Sequence, residues 1–225
     1  MEMQEGAAAP GGRAAGITLA ALAALTLVLL LNHPSGAARS FAEMLKEEAA
    51  NRVADGVVHG GFIAVLGGEL ACLAALFTRR AIRPWASAAL VLFGIGAGFL
   101  MLSMLVDGLL TPAIAARYAE VPEKQEGARV AFVLIGALIR VLMPAGLLFQ
   151  AAGLAIAALG LWARDALIRA ASVLGLVVSV LTIAGVAATG GTSPHIVIVS
   201  LLGFAAWYAT TGVAAALGRL DRRTR

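Results

Sequence analysis

Three histidines, two aspartates and one arginine stand where long apolar stretches begin or end. His33 closes the first stretch, His59 opens the second, Asp107 closes the third, and His195 opens the sixth. Arg140 lies early in the fourth, and Asp55 precedes His59 by four residues, which stacks the two on one helix face. Imidazole with carboxylate is a donor set for divalent zinc, copper or iron, and the histidines with Asp55 or Asp107 supply it. Two histidines from different helices could instead ligate a b-type haem, with Arg140 near its propionates. The plainer reading is that histidine at a helix end caps it or meets a lipid headgroup, where polarity costs little. Three histidines without a linking motif do not choose among these.

Glu69 is more costly. It lies ten residues before Arg79, hence about 15 Å deep at 1.5 Å per residue. A charged side chain at that depth costs at least roughly 2.5–3.5 kcal/mol. It is therefore expected to face the bundle interior as a neutral carboxyl. Gln150, Trp207 and Tyr208, with Ser103 and Ser179, also lie within apolar stretches and offer hydrogen bonds there. The functional reading is a proton or substrate site inside the bundle. The bland one is interhelical glue, worth about 1 kcal/mol.

The elements that must position these residues are set by composition. Of 225 residues, 60% are hydrophobic and 13% charged, and the mean hydropathy is +0.91. A spanning helix needs roughly 20 apolar residues. Spans are predicted at Gly16–Leu31, Gly56–Thr78, Trp85–Val106, Val130–Leu161, Ala166–Ala188 and Pro194–Leu217. Backbone in lipid must satisfy its own hydrogen bonds, and continuous apolar runs exclude a barrel of alternating strands. The fold class is thus all-α, a polytopic six-transmembrane-helix bundle. A pI near 10.0 would suit nucleic acid, but no basic stripe with interleaved aromatics exists. The lone Cys72 sits in the second span as a small packing residue. The first stretch is a poor signal peptide, since Glu2 and Glu5 outweigh Arg13 before it.

Arginines cluster in alternate connections. Arg79, Arg80 and Arg83 follow span two, Arg164 follows span four, and Arg219, Arg222, Arg223 and Arg225 end the chain. The remaining connections are mixed or uncharged. Positive charge stays on the cytoplasmic side, so both termini are expected there, with Trp85 and Trp162 as interfacial anchors. All three histidines, with Asp107 and Arg140, then fall in the outer half.

Residues 1–15 are read as a disordered Ala/Gly/Pro-rich tail, 16–218 as the six-helix domain and 219–225 as a basic cytoplasmic tail. Ser40 and Glu43 form a capping-box pattern, which starts an outer helix leading into span two. Gly56, Gly60 and Gly61 could bend that helix. Residues 109–114 are expected to extend span three outward, and Pro122 to open a helix leading into span four, which gives outer extensions on spans two to four. Pro144 should kink span four. Ser193 with Pro194 is expected to cap the last helix. Gly146, Gly153 and Gly160 recur every seven residues, and Gly94 and Gly98 form a G-xxx-G pair; both are read as packing faces. No hydrolase, ATPase or voltage-sensor motif appears.

The segment Asn32-His33-Pro34-Ser35-Gly36, followed by an outer helix and Val58-His59-Gly60, resembles a pattern in small bacterial multi-pass inner-membrane proteins. The resemblance covers about the first third of the chain. It implies a bacterial inner-membrane location, brings no activity, and favours His33 and His59 as a linked pair. The expectation is an outward-facing polar pocket, with Glu69 at its floor, binding a small ligand, metal or cofactor and able to move protons or solute. The alternatives are an accessory or assembly subunit with protein partners in the bilayer, and a haem- or quinone-using redox protein.

Overall fold

The computed structural model describes residues 10–34, 38–78, 85–162, 165–191 and 193–221. It is all-helical, 91% helix, with no strand among the described residues. The helices are α1 (Pro10–Leu31), α2 (Phe41–Thr78), α3 (Trp85–Leu105), α4 (Thr111–Tyr118), α5 (Gln125–Gly160), α6 (Ala166–Thr189) and α7 (Pro194–Ala216). A five-residue π-helical turn, Val106–Leu110, joins α3 to α4. Six helices are long and apolar enough to cross a membrane.

The helices arise where the hydropathy placed them, with longer ends. Pro10–Ala15, expected as tail, are the first turns of α1, and the Arg13 Nε donates to the Ala216 carbonyl at 3.1 Å. The expected disorder of residues 1–9 lies outside the described residues, as do Arg79, Arg80, Arg83, Arg164 and the last four residues. The capping box forms: Glu43 N donates to Ser40 Oγ at 3.2 Å, and Ser40 N donates to Glu43 Oε2 at 3.1 Å. From that cap α2 runs 38 residues without a break at its glycines, about 57 Å against a hydrocarbon core of about 30 Å. Helix α5 likewise continues through Pro144. Ser193 caps α7 with its backbone carbonyl rather than its side chain. Asp165 is the side-chain cap that sequence reading passed over; its Oδ1 accepts from Leu167 N and Ile168 N at 3.0 and 3.2 Å.

The spans form a closed ring in chain order. Helix α1 packs on α2, α2 on α3, α3 on α5, α5 on α6, α6 on α7, and α7 returns to α1. The seam between α7 and α1 depends on glycine. A Cβ at Gly212 would lie 2.7 Å from the Gly16 carbonyl oxygen and 2.8 Å from Ala20 N. Glycine also sets the α3–α5 contact, where Gly146 and Gly153 face α3 as their spacing suggests. Their partner is Gly96: a Cβ there would meet Gln150 N at 2.8 Å, whereas Gly94 and Gly98 have no neighbour within 4 Å. The G-xxx-G pair is thus on the outside of the ring.

Large apolar side chains such as Ile17, Val91, Val180 and Leu181 point outward and are exposed, while Glu69, Gln150, Ser179, Thr182 and Ser200 are buried. This arrangement suits lipid outside and paired polar groups inside. Thr182 Oγ1 donates to Ser200 Oγ at 3.1 Å across α6 and α7. The first turns of α1 and the last turn of α7 lie side by side at one end of the ring. At the opposite end, α2, α4 and α5 continue beyond α1 and pack around Leu45, Ala115, Ala119 and Ala128.

Candidate functional site

The end of the ring away from the first turns of α1 brings together His33, His59 and Asp107. One ligand atom from each lies within 4.8 Å of the others. His59 is buried on α2, His33 is exposed just past α1, and Asp107 is half-buried in the π-turn. The turn provides this. A π-turn inserts one residue into a helix and so rotates the residues after it. Here it directs Asp107 at α2 and places Gly108 against the His59 ring, where a Cβ would overlap the ring atoms. Thr111 stitches the widened turn by donating to the Val106 carbonyl at 2.9 Å.

Hydrogen bonds fix the tautomers. His59 Nδ1 lies 3.0 Å from the Asp55 carbonyl, and His33 Nδ1 lies 2.8 Å from the Pro34 carbonyl. A carbonyl only accepts, so both rings carry hydrogen on Nδ1 and turn Nε2 elsewhere. The His59 Nε2 faces Asp107 Oδ2 at 3.4 Å. Two lone pairs at that separation repel, so either a proton on Nε2 or a metal cation must sit between them. The rings of His33 and His59 meet edge to face, with centroids 4.9 Å apart. A macrocycle has no room between them, so a haem ligated by this pair does not fit.

Asp55 stacks on His59 as the four-residue spacing suggests, with Oδ1 4.0 Å from Nδ1. Glu48 was missed by sequence reading. It lies on the same face of α2, seven residues before Asp55, within electrostatic reach of Asp55, Asp107 and His59. The seven-then-four spacing of Glu48, Asp55 and His59 was the available signal. No lysine or arginine pairs with these carboxylates among the described residues, so the field of the cluster is negative.

The structure does not bring His195 and Arg140 to this cluster. His195 is exposed in the first turn of α7, whose packing partners are α1 and α6. Arg140 is exposed on α5 among outward-facing residues such as Leu138 and Val141.

Glu69 is not the floor of this cluster. An apolar layer of Leu29, Val58, Phe62, Val65 and Met104 lies between the two. Below it is a small cavity at the centre of the ring, lined by Glu69, Thr26, Gln150 and Tyr208 among apolar neighbours. Tyr208 donates to Gln150 Oε1 at 3.2 Å, and Gln150 Nε2 donates to the Phe93 carbonyl at 3.2 Å. Trp207, expected to donate a hydrogen bond, is buried with no partner for Nε1 among the described residues and stacks on Phe93 instead.

Six apolar crossings, a closed ring and polar side chains turned inward are the architecture of a multi-pass membrane protein. Comparison with family models, curated proteins and solved structures returns no match.

Proposed function

We propose that the protein binds a divalent metal ion of the zinc type through His33, His59 and Asp107, at the outer face of a bacterial inner membrane. The termini and the arginine-rich connections would lie in the cytoplasm, as the distribution of positive charge suggests. The observation that carries this reading is the His59 Nε2 facing Asp107 Oδ2 at 3.4 Å, with the other ring nitrogen donated to a backbone carbonyl. Such a carbonyl is the common outer-shell partner of a metal-bound histidine; it sets the tautomer and makes the ligating nitrogen more basic. His33 supplies the third donor from the solvent side. Tetrahedral zinc at about 2.0–2.1 Å from each donor sets the donors roughly 3.3 Å apart; His59 and Asp107 stand at 3.4 Å, and His33 would close in from within 4.8 Å. Three protein ligands leave one position for water or a ligand, as catalytic and carrier sites do. Glu48 and Asp55 would add the negative field that draws a cation in.

The test is metal analysis of the purified protein after equilibration with zinc and removal of excess. One equivalent is expected for the wild type and none for His59→Ala. A proton shared between His59 and Asp107, with no metal bound, is the competing outcome and overturns the reading.

A second reading, an accessory subunit packing on another membrane protein, is favoured by one observation. Gly94 and Gly98 present an open small-residue face on the outside of α3, the kind of surface on which another helix can pack closely. Gly98→Leu is expected to leave this chain's melting temperature unchanged and to abolish any partner that co-purifies with it. Retention of such a partner by the variant speaks against this face.

A further inference from the structure

The cavity around Glu69 is separate from the metal reading and stands on its own geometry. Its volume is about 20 Å³, above the roughly 10–15 Å³ that one water molecule needs. A water also needs two to four polar partners. The walls provide them. Glu69 is 4% exposed, and its Oε1 has no hydrogen-bond partner among the described residues. Gln150 uses one amide hydrogen on Phe93 and keeps a second. The Tyr208 oxygen donates to Gln150 and keeps its lone pairs.

The charge state depends on the groups that face the carboxyl. Helix α1 presents Thr26, whose hydroxyl is bound to the Leu22 carbonyl at 3.2 Å. Helix α3 presents Leu100 and Met104, α5 presents Gln150, and α7 presents Tyr208. Among the described residues, the other ionisable groups in electrostatic contact with it are Tyr208 and Cys72, the latter on α2 itself. No cation faces Glu69 and no ion pair reaches it among the described residues. An unpaired carboxylate sealed from water costs far more than a neutral carboxyl in the same place. Thr26, Gln150 and Tyr208 can hydrogen-bond to it but supply no counter-charge.

We propose that this cavity is a proton-binding site, in which neutral Glu69 shares its proton with one water held against Gln150 and Tyr208 and exchanges it with the medium. Mere glue between helices needs no water, no cavity and no exchange. The orphan Oε1 beside a water-sized space is what separates the two.

The test uses the intact protein in detergent or lipid. A lipid-soluble carbodiimide takes up the proton of a neutral carboxyl on one nitrogen while the carboxyl oxygen adds to its central carbon. Migration of the acyl group to nitrogen then leaves a stable acylurea, with nothing lost. One adduct mapped to Glu69 is expected, declining as pH rises and absent in Glu69→Gln. Infrared difference spectra between the wild type and Glu69→Gln should show a carboxylic C=O band that shifts in heavy water. Gln150→Leu, which removes a partner of the water, should move the pH at which labelling falls while keeping the adduct site. No adduct, or a C=O band that does not exchange in heavy water, makes Glu69 a sealed structural contact and overturns the proposal. Protection from labelling by sodium or potassium at constant pH makes the ligand a metal cation and also overturns it. None of these readouts depends on zinc at His59, so the two readings fail separately.

Discussion

Gly108→Ala is expected to weaken metal binding by about 10–100-fold, the range seen when a ligand's supporting contact is lost. Two effects oppose each other in this substitution. Alanine favours a helix over glycine by about 0.8–1.0 kcal/mol. Against that, the added methyl would overlap Cβ, Cγ and Nδ1 of the His59 side chain. The Cβ is fixed to the α2 backbone, so a rotamer change cannot clear it. Overpacking of this kind costs about 1–3 kcal/mol, occasionally more, and the overlap wins. The imidazole is driven from Asp107, and its bond to the Asp55 carbonyl is strained. Gly56→Ala is the matched control, because the nearest atom to its Cβ would be Leu109 Cδ2 at 3.5 Å, an ordinary contact. Zinc affinity measured against a competing chelator, with melting curves for both variants, decides the matter. Wild-type affinity in Gly108→Ala would falsify the claim that this glycine seats the imidazole.

Gly212→Leu is expected to open the ring at the seam between α7 and α1. The atoms in the way are the Gly16 carbonyl oxygen and Ala20 N, which are backbone and cannot turn aside. The helices must separate along the seam, at about 1–3 kcal/mol or more. In lipid the separation is not resisted by a hydrophobic effect, since the bilayer is as apolar as the seam. Close packing is most of what holds the two helices, so its loss is felt fully. A lower melting temperature in detergent is the expected readout. Because His33 follows directly on the end of α1, zinc affinity should fall toward that of His33→Ala. A variant that melts with the wild type shows that the seam does not depend on this approach.

Several features were legible in the sequence. The ends of α6 and α7 fall within one residue of the sequence reading. The Ser40–Glu43 box forms as its spacing requires, and Glu69 turns inward because lipid would not hold it. Asp55 stacks on His59 because four residues make one turn.

Other features needed the tertiary structure. Gly96, not Gly94 or Gly98, touches α5. His195 and Arg140, grouped by depth with His59, are exposed where His59 is buried, and His195 is not in its ligand group. Glu69 and His59 share α2 but are parted by a layer drawn from three helices. The π-turn that delivers Asp107 has no signature in composition.

The division has one physical cause. Water and lipid differ sharply in polarity, so the sequence alone determines which stretches can cross and how deep each polar residue lies within them. Lipid and protein interior are equally apolar, so the face a helix turns to its neighbours leaves almost no trace in residue type. Rotation about each helix axis was decided only by packing. That rotation makes His33, His59 and Asp107 a site and leaves His195 outside it.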